Sequence, residues 1–269
     1  MESPLLSATG LTVTVPGRTL VEALDFALDA GEFVALLGQN GAGKTLTLET
    51  LAGLRPAAAG AVRLDGADLF SSPRQAVARR LALLPQAVDD IFPATVLDTA
   101  LIGRHPHIRG LRWETRADVA IAREALATVG LGALASRDVL TLSGGERRRV
   151  AIAQILTQAP AVFLLDEPTN HLDPQHQIET MQLFRAAADR GAGVVASLHD
   201  VNLAVRFADR CLLLFGDGQW RLGPTATVLD TAALGELYVT PMDAVSWQGR
   251  ELFVPAGERQ STKPASRSR

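Results

Sequence analysis

The sequence predicts an α/β fold built around a parallel β-sheet, and three observations indicate this class. Short continuous apolar runs recur along the chain, as they do in the buried strands of parallel sheets. Patterns of helical periodicity separate these runs, and this alternation is typical of a parallel sheet with helices packed on it. A glycine-rich loop follows one apolar run and precedes a helical pattern, which predicts a strand–loop–helix unit.

The predicted strands are short and follow one another along the whole chain. The first shows the alternation of a half-buried strand, and the others are short runs rich in apolar residues. They span residues 11–15, 33–37, 61–64, 81–84, 161–165, 194–198 and 211–215.

Helices are predicted between these strands. One begins in the glycine-rich loop and ends near Gly53. A second has Ser72 as its N-cap and Pro73 at its first position, where proline is favoured. Two more are predicted to begin near Pro174 and Asp200.

One folded domain is predicted over residues 5–255. Within it, residues 90–140 have helical periodicity without strand-like runs, which predicts an inserted helical subdomain of about residues 90–158. Residues 256–269 are polar and rich in Ser, Lys and Arg, which predicts a disordered tail.

The composition is that of a globular protein with a substantial core. The chain has 269 residues, of which 47% are hydrophobic and 20% charged. Its net charge of −3 argues against nucleic-acid binding, which usually requires a basic surface. The single cysteine, Cys211, excludes an internal disulfide and fits a reducing compartment. No apolar stretch is long enough to predict a transmembrane helix, and the N-terminus lacks the features of a signal peptide.

The glycine-rich loop predicts a phosphate site. Residues 38–45 match the pattern G-x-x-x-x-G-K-[ST] between a predicted strand and a predicted helix. The loop N–H groups and the helix N-terminus would bind phosphate oxygens, Lys44 would reach the β- and γ-phosphates, and the Thr45 hydroxyl would bind Mg²⁺. A chance glycine turn is the alternative, and the loop alone leaves kinases, GTPases, helicases and transport ATPases open. The candidate phosphate-binding residues are Gly38, Asn40, Gly41, Ala42, Gly43, Lys44 and Thr45.

Two acids follow the predicted strand at 161–165. A buried strand delivers such side chains to the carboxyl edge of the sheet, where ligands of α/β proteins bind. Asp166 is the candidate Mg²⁺ ligand, directly or through water, and Glu167 is the candidate base for the attacking water. The alternative is that the two acids only cap the next turn.

The segment Leu142-Ser143-Gly144-Gly145-Glu146 predicts a second anion site at a helix N-terminus. One nucleotide does not need two phosphate cradles, so the second cradle is expected to serve the ATP of another subunit. The alternative is that Ser143 is an N-cap and the glycines form a turn.

Taken together, these motifs resemble those of the ABC ATPase family over roughly residues 10–240. The resemblance is carried by the order of six segments. It implies a P-loop NTPase (RecA-like) core with an antiparallel β subdomain and an inserted α-helical subdomain, and it implies ATP hydrolysis. The segments are Gly38–Thr45, Gln86, Leu142–Glu146, Leu164–Pro168, Asn170–Asp173 and His199.

The resemblance also implies residue roles. Gln86 is similar to the glutamine that senses Mg²⁺ and the γ-phosphate and abuts the membrane partner. Asp173 lies in the segment similar to the D-loop and is placed to N-cap the following helix. His199 is similar to the histidine that holds the γ-phosphate and the attacking water. The residues similar to those that contact the ATP of the opposite protomer are Ser143, Gly144, Gly145 and Glu146.

A finer resemblance is to the importer subgroup for ferric siderophores, haem and vitamin B12. It rests on the strings at residues 102–107, 172–177 and 198–204. It implies an ATP-dependent homodimer, transmembrane permease subunits and, indirectly, a periplasmic or lipoprotein substrate-binding protein. It also implies a peripheral location on the cytoplasmic face of the cell membrane. An exporter ATPase with the same chemistry is the first alternative.

A soluble ABC ATPase acting on ribosomes or DNA is the second alternative. Such proteins usually carry two nucleotide domains or a long coiled-coil insertion, and this chain predicts neither. The basic run at residues 147–149 could indicate nucleic acid, but a solvated helix face or a dimer contact fits the acidic balance of the chain better.

Base selectivity provides a first prediction. In the family an aromatic residue before the phosphate loop stacks on adenine, whereas the position that aligns by spacing here is Val15. Loss of aromatic stacking removes about 0.5–1.5 kcal/mol of base binding. We therefore expect GTP to be hydrolysed at a rate close to that of ATP in steady-state phosphate-release assays. A strict preference for ATP would contradict this expectation.

Overall fold

The computed structural model describes residues 3–87, 93–108, 113–247 and 249–256. The β-strands are β1 (Leu6–Val15), β2 (Arg18–Leu28), β3 (Phe33–Gly38), β4 (Ala59–Leu64), β5 (Ala67–Asp68), β6 (Leu81–Leu84), β7 (Val162–Leu165), β8 (Gly193–Ser197), β9 (Arg210–Leu214), β10 (Trp220–Pro224), β11 (Met242–Trp247) and β12 (Arg250–Pro255). The α-helices are α1 (Lys44–Leu51), α2 (Arg74–Arg80), α3 (Val96–Leu101), α4 (Arg116–Thr128), α5 (Gly144–Gln158), α6 (Pro174–Asp189), α7 (Val201–Phe207), α8 (Thr225–Val228) and α9 (Thr231–Tyr238). Short 3₁₀ helices span Ile102–His107, Gly132–Leu134 and Val139–Thr141.

The central sheet has six strands in the order β10-β9-β3-β8-β7-β6. Strands β9, β3, β8, β7 and β6 are parallel, and β10 runs antiparallel at one edge. The predicted α/β class is therefore confirmed. Because the strands are parallel, the segments that follow β3, β6, β7 and β8 leave the sheet at the same edge.

Strand β3 shows how the sheet separates two apolar cores. All of its residues are buried, and successive side chains point to opposite faces. Phe33, Ala35 and Leu37 pack with helices α5, α6 and α7, whereas Val34 and Leu36 face the second sheet. A continuous apolar run is thus explained by burial on both faces.

The second sheet is antiparallel and has the order β2-β1-β4-β5. It packs with α1 on the core that contains Val34 and Leu36, as expected for the antiparallel subdomain that the family resemblance implies. The sequence predicted β4 and the second half of β1, but it missed β2, the short strand β5, the edge strand β10 and the hairpin β11–β12. Strands β10, β11 and β12 carry few buried side chains, so they lack the apolar run that marks a buried strand.

Helices α3, α4 and α5 pack around a third apolar core, which includes Val96, Leu126 and Val150. This is the region of the predicted helical subdomain, although residues 88–92 and 109–112 within it lie outside the described residues. The predicted tail also lies outside them except for Ala256, whose backbone N–H donates to the Pro241 carbonyl. Within the described ranges, no helix is long and apolar enough to cross a membrane.

The predicted start of helix α2 is wrong by one residue. Pro73 is the N-cap, and the helix begins at Arg74. The Ser72 hydroxyl donates to the Asp68 carbonyl at 2.6 Å instead of capping the helix. The side chain therefore stabilises the preceding turn, a common competitor of N-capping for serine.

Candidate active site

The glycine-rich loop lies between β3 and α1 at the carboxyl edge of the central sheet. Two of its glycines are required by geometry. Gly43 has φ of 102°, a left-handed conformation that favours glycine, and a Cβ on Gly38 would lie 2.6 Å from the Leu214 carbonyl oxygen. Gly43 also leaves helix α1 without a side-chain N-cap. The first N–H groups of α1 are therefore not capped by a side chain, which suits an anion.

Lys44 begins this helix, and only 5% of it is exposed. Its Nζ donates to the carbonyl oxygens of Gly38 at 2.8 Å and Gln39 at 3.2 Å. Burial lowers the pKa of Lys44, and the nearby Glu167 and Asp166 carboxylates oppose that shift. The amine is thus folded back onto its own loop, within reach of the space that the loop surrounds.

A chain of hydrogen bonds connects the loop to the strands beside it. The Thr45 hydroxyl donates to Asp166 Oδ2 at 2.7 Å, and the Ser197 hydroxyl donates to Asp166 Oδ1 at 2.6 Å. Ser197 Oγ also accepts from the Glu167 backbone N–H at 2.8 Å. Both oxygens of the Asp166 carboxylate, which is 2% exposed, therefore have donors.

Glu167 is held by three side chains from different segments. Its Oε1 lies 2.6 Å from His199 Nε2, and its Oε2 accepts from Gln86 Nε2 at 2.8 Å and from the Asn170 amide. Glu167 has φ of 49°, which is unusual for a residue with a side chain. Such backbone strain persists only where surrounding contacts hold it, and it is common at functional sites.

These residues line a cavity of about 600 Å³. Most of the predicted site residues line it, and Gly38 and Asp166 contact the lining residues Lys44 and Thr45. Sequence reasoning gave no role in this cavity to four of the lining residues, although one of them, Asn170, belongs to the segment similar to the D-loop: Arg18, Leu20, Leu46 and Asn170. The complete lining is Val15, Arg18, Leu20, Asn40, Gly41, Gly43, Lys44, Thr45, Leu46, Gln86, Glu167, Asn170 and His199.

The sequence contains a local signal for one of these residues, Asn170, but none for Arg18. Asn170 lies in the tight turn after Glu167, where its backbone N–H donates to the Glu167 carbonyl at 3.1 Å, so the short spacing could have indicated it. Arg18 reaches the cavity from β2, beside Val15, and its Nε donates to the Gly216 carbonyl at 2.7 Å. That contact joins residues 198 positions apart, and no local pattern indicates it.

The segment Ser143–Glu146 does not line this cavity. Ser143 is the N-cap of α5 and forms a capping box with Glu146, in which Ser143 Oγ accepts from the Glu146 N–H and Glu146 Oε2 accepts from the Ser143 N–H at 2.8 Å. These bonds lower the pKa of Glu146. Ser143 and Gly144 are exposed, while Gly145 approaches the His171 carbonyl closely. The predicted second anion cradle is therefore separate from this cavity in its own chain, and its first two residues are exposed.

Asp173 is the N-cap of α6, as predicted. Its Oδ1 accepts from the His176 backbone N–H at 2.9 Å, and its carboxylate also contacts the His176 ring at 2.8 Å. These hydrogen bonds lower the pKa of Asp173. The carboxylate thus fixes the turn that separates Glu167 from helix α6.

The interpretation of the basic run at residues 147–149 as a solvated helix face or a dimer contact is wrong for Arg148. Arg148 is neither solvated nor available to a dimer partner, because it is only 4% exposed. Its guanidinium lies beneath the site and donates to main-chain carbonyl oxygens. Arg149 donates to the Val129 carbonyl at 3.2 Å within the helical region.

Comparison with known proteins points to one family. A sequence profile described as ABC transporter matches residues 21–170. Hemin import ATP-binding protein HmuV of Pseudomonas entomophila is 43% identical over 239 residues, which are 87% of this chain and 92% of that protein. Cobalamin import ATP-binding protein BtuD of Halobacterium salinarum is 40% identical over 215 residues, which are 80% of this chain and 53% of that protein.

Solved structures agree with these relatives. A metal-chelate type ABC transporter in an inward-facing conformation matches with a TM-score of 0.83 and 28% identity, over 95% of this chain and 99% of that one. A bacterial ABC transporter cassette solved as a dimer matches with a TM-score of 0.72 and 26% identity, over 82% and 98%.

The role of Ser197 provides a second prediction. Ser197 is fully buried and links Asp166 to the Glu167 backbone, so Ser197→Ala leaves a buried N–H and a carboxylate oxygen without a partner. We expect the free energy of unfolding to fall by about 1–3 kcal/mol in denaturant titrations. Ser246→Ala, at an exposed position of β11, is the control and is expected to change it by less than about 0.5 kcal/mol. Equal effects of the two substitutions would contradict the role of Ser197.

Proposed function

Because this chain belongs to the ABC transporter family, whose ATPases couple ATP hydrolysis to transport, we propose that it is the ATPase subunit of an importer that works as a head-to-tail dimer. One observation carries the proposal. Lys44, Thr45 and Glu167 of one chain line the cavity, whereas the exposed cradle at Ser143 does not line it. A second copy, rotated by a two-fold axis, would bring its own cradle to this cavity.

The lining residues fit a nucleotide triphosphate bound with Mg²⁺. In the proposed complex the phosphate oxygens replace the Gly38 and Gln39 carbonyls as partners of Lys44 Nζ. The Thr45 hydroxyl and the Asp166 carboxylate, 2.7 Å apart, are the hard oxygen ligands that Mg²⁺ prefers, and the Gln86 amide oxygen is a third candidate. When bound, Mg²⁺ would neutralise charge on the phosphates. Val15 and Arg18 also line the cavity and are the proposed contacts of the base.

Glu167 is the proposed base for the attacking water. Its carboxylate is 7% exposed, so a water in contact with it would be largely shielded from solvent. The contacts from Gln86, Asn170 and His199 occupy both oxygens of the carboxylate. An ionised carboxylate has about four acceptor positions, so Oε1, whose one contact among the described residues is His199, keeps a position for the attacking water. His199, whose side chain is 47% exposed at the cavity wall, is the proposed contact to the γ-phosphate.

The proposed cargo narrows the expected iron chelate (siderophore or haem) or cobalamin to a metal-bound tetrapyrrole, haem or a corrinoid. Relatives named as hemin and cobalamin import proteins match most of this chain, and a metal-chelate type transporter matches its fold, which supports this class. The proposed partners are transmembrane permease subunits, with a substrate-binding protein acting on them. The proposed location is the cytoplasmic face of the membrane that holds the permease.

Uptake by the reconstituted complex tests the cargo. The chain is purified with its native membrane partner, placed in proteoliposomes and supplied with the binding protein of the same system. We expect ATP-dependent accumulation of haem or of cobalamin. Transport of neither would contradict the cargo proposal, and movement of cargo in the opposite direction would contradict the importer proposal, while ATP hydrolysis would be unaffected in both cases.

Removal of the base provides a third prediction. Glu167→Gln keeps the shape of the side chain but removes its proton acceptor. We expect ATP to bind normally and turnover to fall by roughly 10²–10⁴, the usual contribution of a general base. The variant should also remain as a dimer with ATP in size-exclusion chromatography. Glu179→Gln, at an exposed position of α6, is the control, and native turnover in Glu167→Gln would show that another group is the base.

The composite site provides a fourth prediction. Ser143→Arg places a long cation at the exposed cradle, which in the proposed dimer faces the ATP of the partner. We expect ATP to bind the separate chain with unchanged affinity, because Ser143 does not line its cavity. ATP-driven dimerisation, measured by light scattering in the Glu167→Gln background, should be lost. The control is Ser71→Arg, at an exposed position before α2, and normal dimerisation of Ser143→Arg would contradict the shared site.

A further inference from the structure

Arg148 connects three segments of the site through one guanidinium group. Its Nη1 atom donates to the carbonyl oxygens of Pro85 at 2.5 Å and Gln86 at 3.3 Å. Its Nη2 atom donates to the carbonyl oxygens of Asp166 at 2.6 Å and Glu167 at 2.8 Å. All four acceptors are main-chain atoms, so the contacts position the backbone and leave the functional side chains free.

The charge of Arg148 is retained at this buried position. Burial lowers the pKa of Arg148 to about 10, and the Asp166 and Glu167 carboxylates oppose that shift, so the group stays protonated at neutral pH. A buried cation is costly unless it is hydrogen-bonded, and here both Nη atoms have acceptors while Nε has none among the described residues. Simple packing would be achieved as well by an apolar side chain of the same length, so the fork of donors itself needs an explanation.

The explanation lies in what the fork spans. Pro85 and Gln86 follow strand β6, Asp166 and Glu167 follow strand β7, and Arg148 belongs to the first turns of helix α5, which begins directly after Ser143. The Nη1 and Nη2 atoms of the planar guanidinium therefore hold the loops that carry Gln86 and Glu167 at a fixed distance from each other and from α5. The unusual φ of Glu167, 49°, lies at one of these contacts.

We propose that Arg148 is a positioning residue for ATP hydrolysis, which fixes the Gln86 and Glu167 backbones to the N-terminal turns of α5. The proposal rests on the composite dimer proposed above, in which the same turns present Ser143 to the ATP of the partner. Movement of α5 on engaging that ATP is then transmitted to Glu167 of its own chain. Arg148 does not line the nucleotide cavity, so it acts on turnover and not on nucleotide binding.

Replacement of Arg148 separates these two effects. Arg148→Met keeps the length and apolar volume but removes the donors. In the complete transporter we expect kcat to fall by about 10- to 100-fold, as for a misplaced catalytic group. The KM for ATP should stay within about twofold, because ground-state binding is unchanged. Arg149→Met, the neighbouring arginine with its contact at Val129, is the matched control and should keep native kcat.

Arg148→Lys tests whether charge alone suffices. An ammonium group is a point charge and cannot span both loops as a planar fork does. We expect kcat of this variant to stay well below native. Full activity of Arg148→Lys, or a purely KM effect in Arg148→Met, would overturn the proposal.

Mixed dimers distinguish positioning from general destabilisation. One chain carries Glu167→Gln, so hydrolysis depends on the Glu167 of the other chain. We expect Arg148→Met on the chain that retains Glu167 to remove most of the remaining turnover, and the same substitution on the Glu167→Gln chain to lower it by at most about threefold. Equal losses in both placements would show a role in folding or dimer stability and would overturn the proposal. If mixed dimers without the Arg148 substitution do not form with ATP, the composite dimer fails instead.

Discussion

Parallel hydrogen bonding between β6, β7, β8 and β3 is the constraint on which the site depends. The ladders pair Leu84 with Leu165 and Leu165 with Ala196, and they continue beyond the strands through the Asp166 N–H, which donates to the Leu84 carbonyl at 2.8 Å. A slip of one residue in this register would turn every side chain of a strand to the opposite face. Asp166 and Glu167, which follow β7, would then no longer lie beside the glycine-rich loop that follows β3.

Buried charge at this edge is balanced within a few residues. Lys44 and Arg148 are the cations, Asp166 and Glu167 are the anions, and each residue as a whole is at most 6% exposed. The cations donate mainly to carbonyl oxygens of the main chain, while the carboxylates accept from neutral donors and from His199. These hydrogen bonds make the buried charge tolerable, although Arg148 Nε has no partner within the described part of the chain.

The exposed cradle at the start of α5 contrasts with this closed network. Ser143 and Glu146 satisfy each other locally in a capping box, so the helix begins stably without any ligand. Arg148, just inside the same helix, belongs to the buried network. Helix α5 therefore has one end that is free to meet another molecule and, a short distance along, a rigid connection to Gln86 and Glu167. This arrangement would couple binding at the Ser143 end of α5 to the positions of Gln86 and Glu167.

The sequence by itself determined the class of fold, the family and most residues of the cavity. It could do so because the apolar runs of buried strands, the glycines of the loop at Gly38–Thr45 and the acids after β7 are local patterns with a direct physical meaning. For the buried strands of the central sheet, the predicted ends lie within one or two residues of the observed ends. The sequence missed strands such as β10, whose stability comes from pairing and not from an apolar run. The functional roles of the site residues remain predictions.

Only the tertiary structure decided how Arg148 and Arg18 are used. In the sequence Arg148 is the middle of three arginines, and no local signal separates it from its neighbours. The contact with the Pro85 carbonyl joins residues 63 positions apart, and the contact of Arg18 with the Gly216 carbonyl joins residues 198 apart. The environment of such a side chain is set by which strands become neighbours in the sheet. Burial and long-range hydrogen bonding are properties of the packed chain, and for that reason they could not be predicted from the residue types alone.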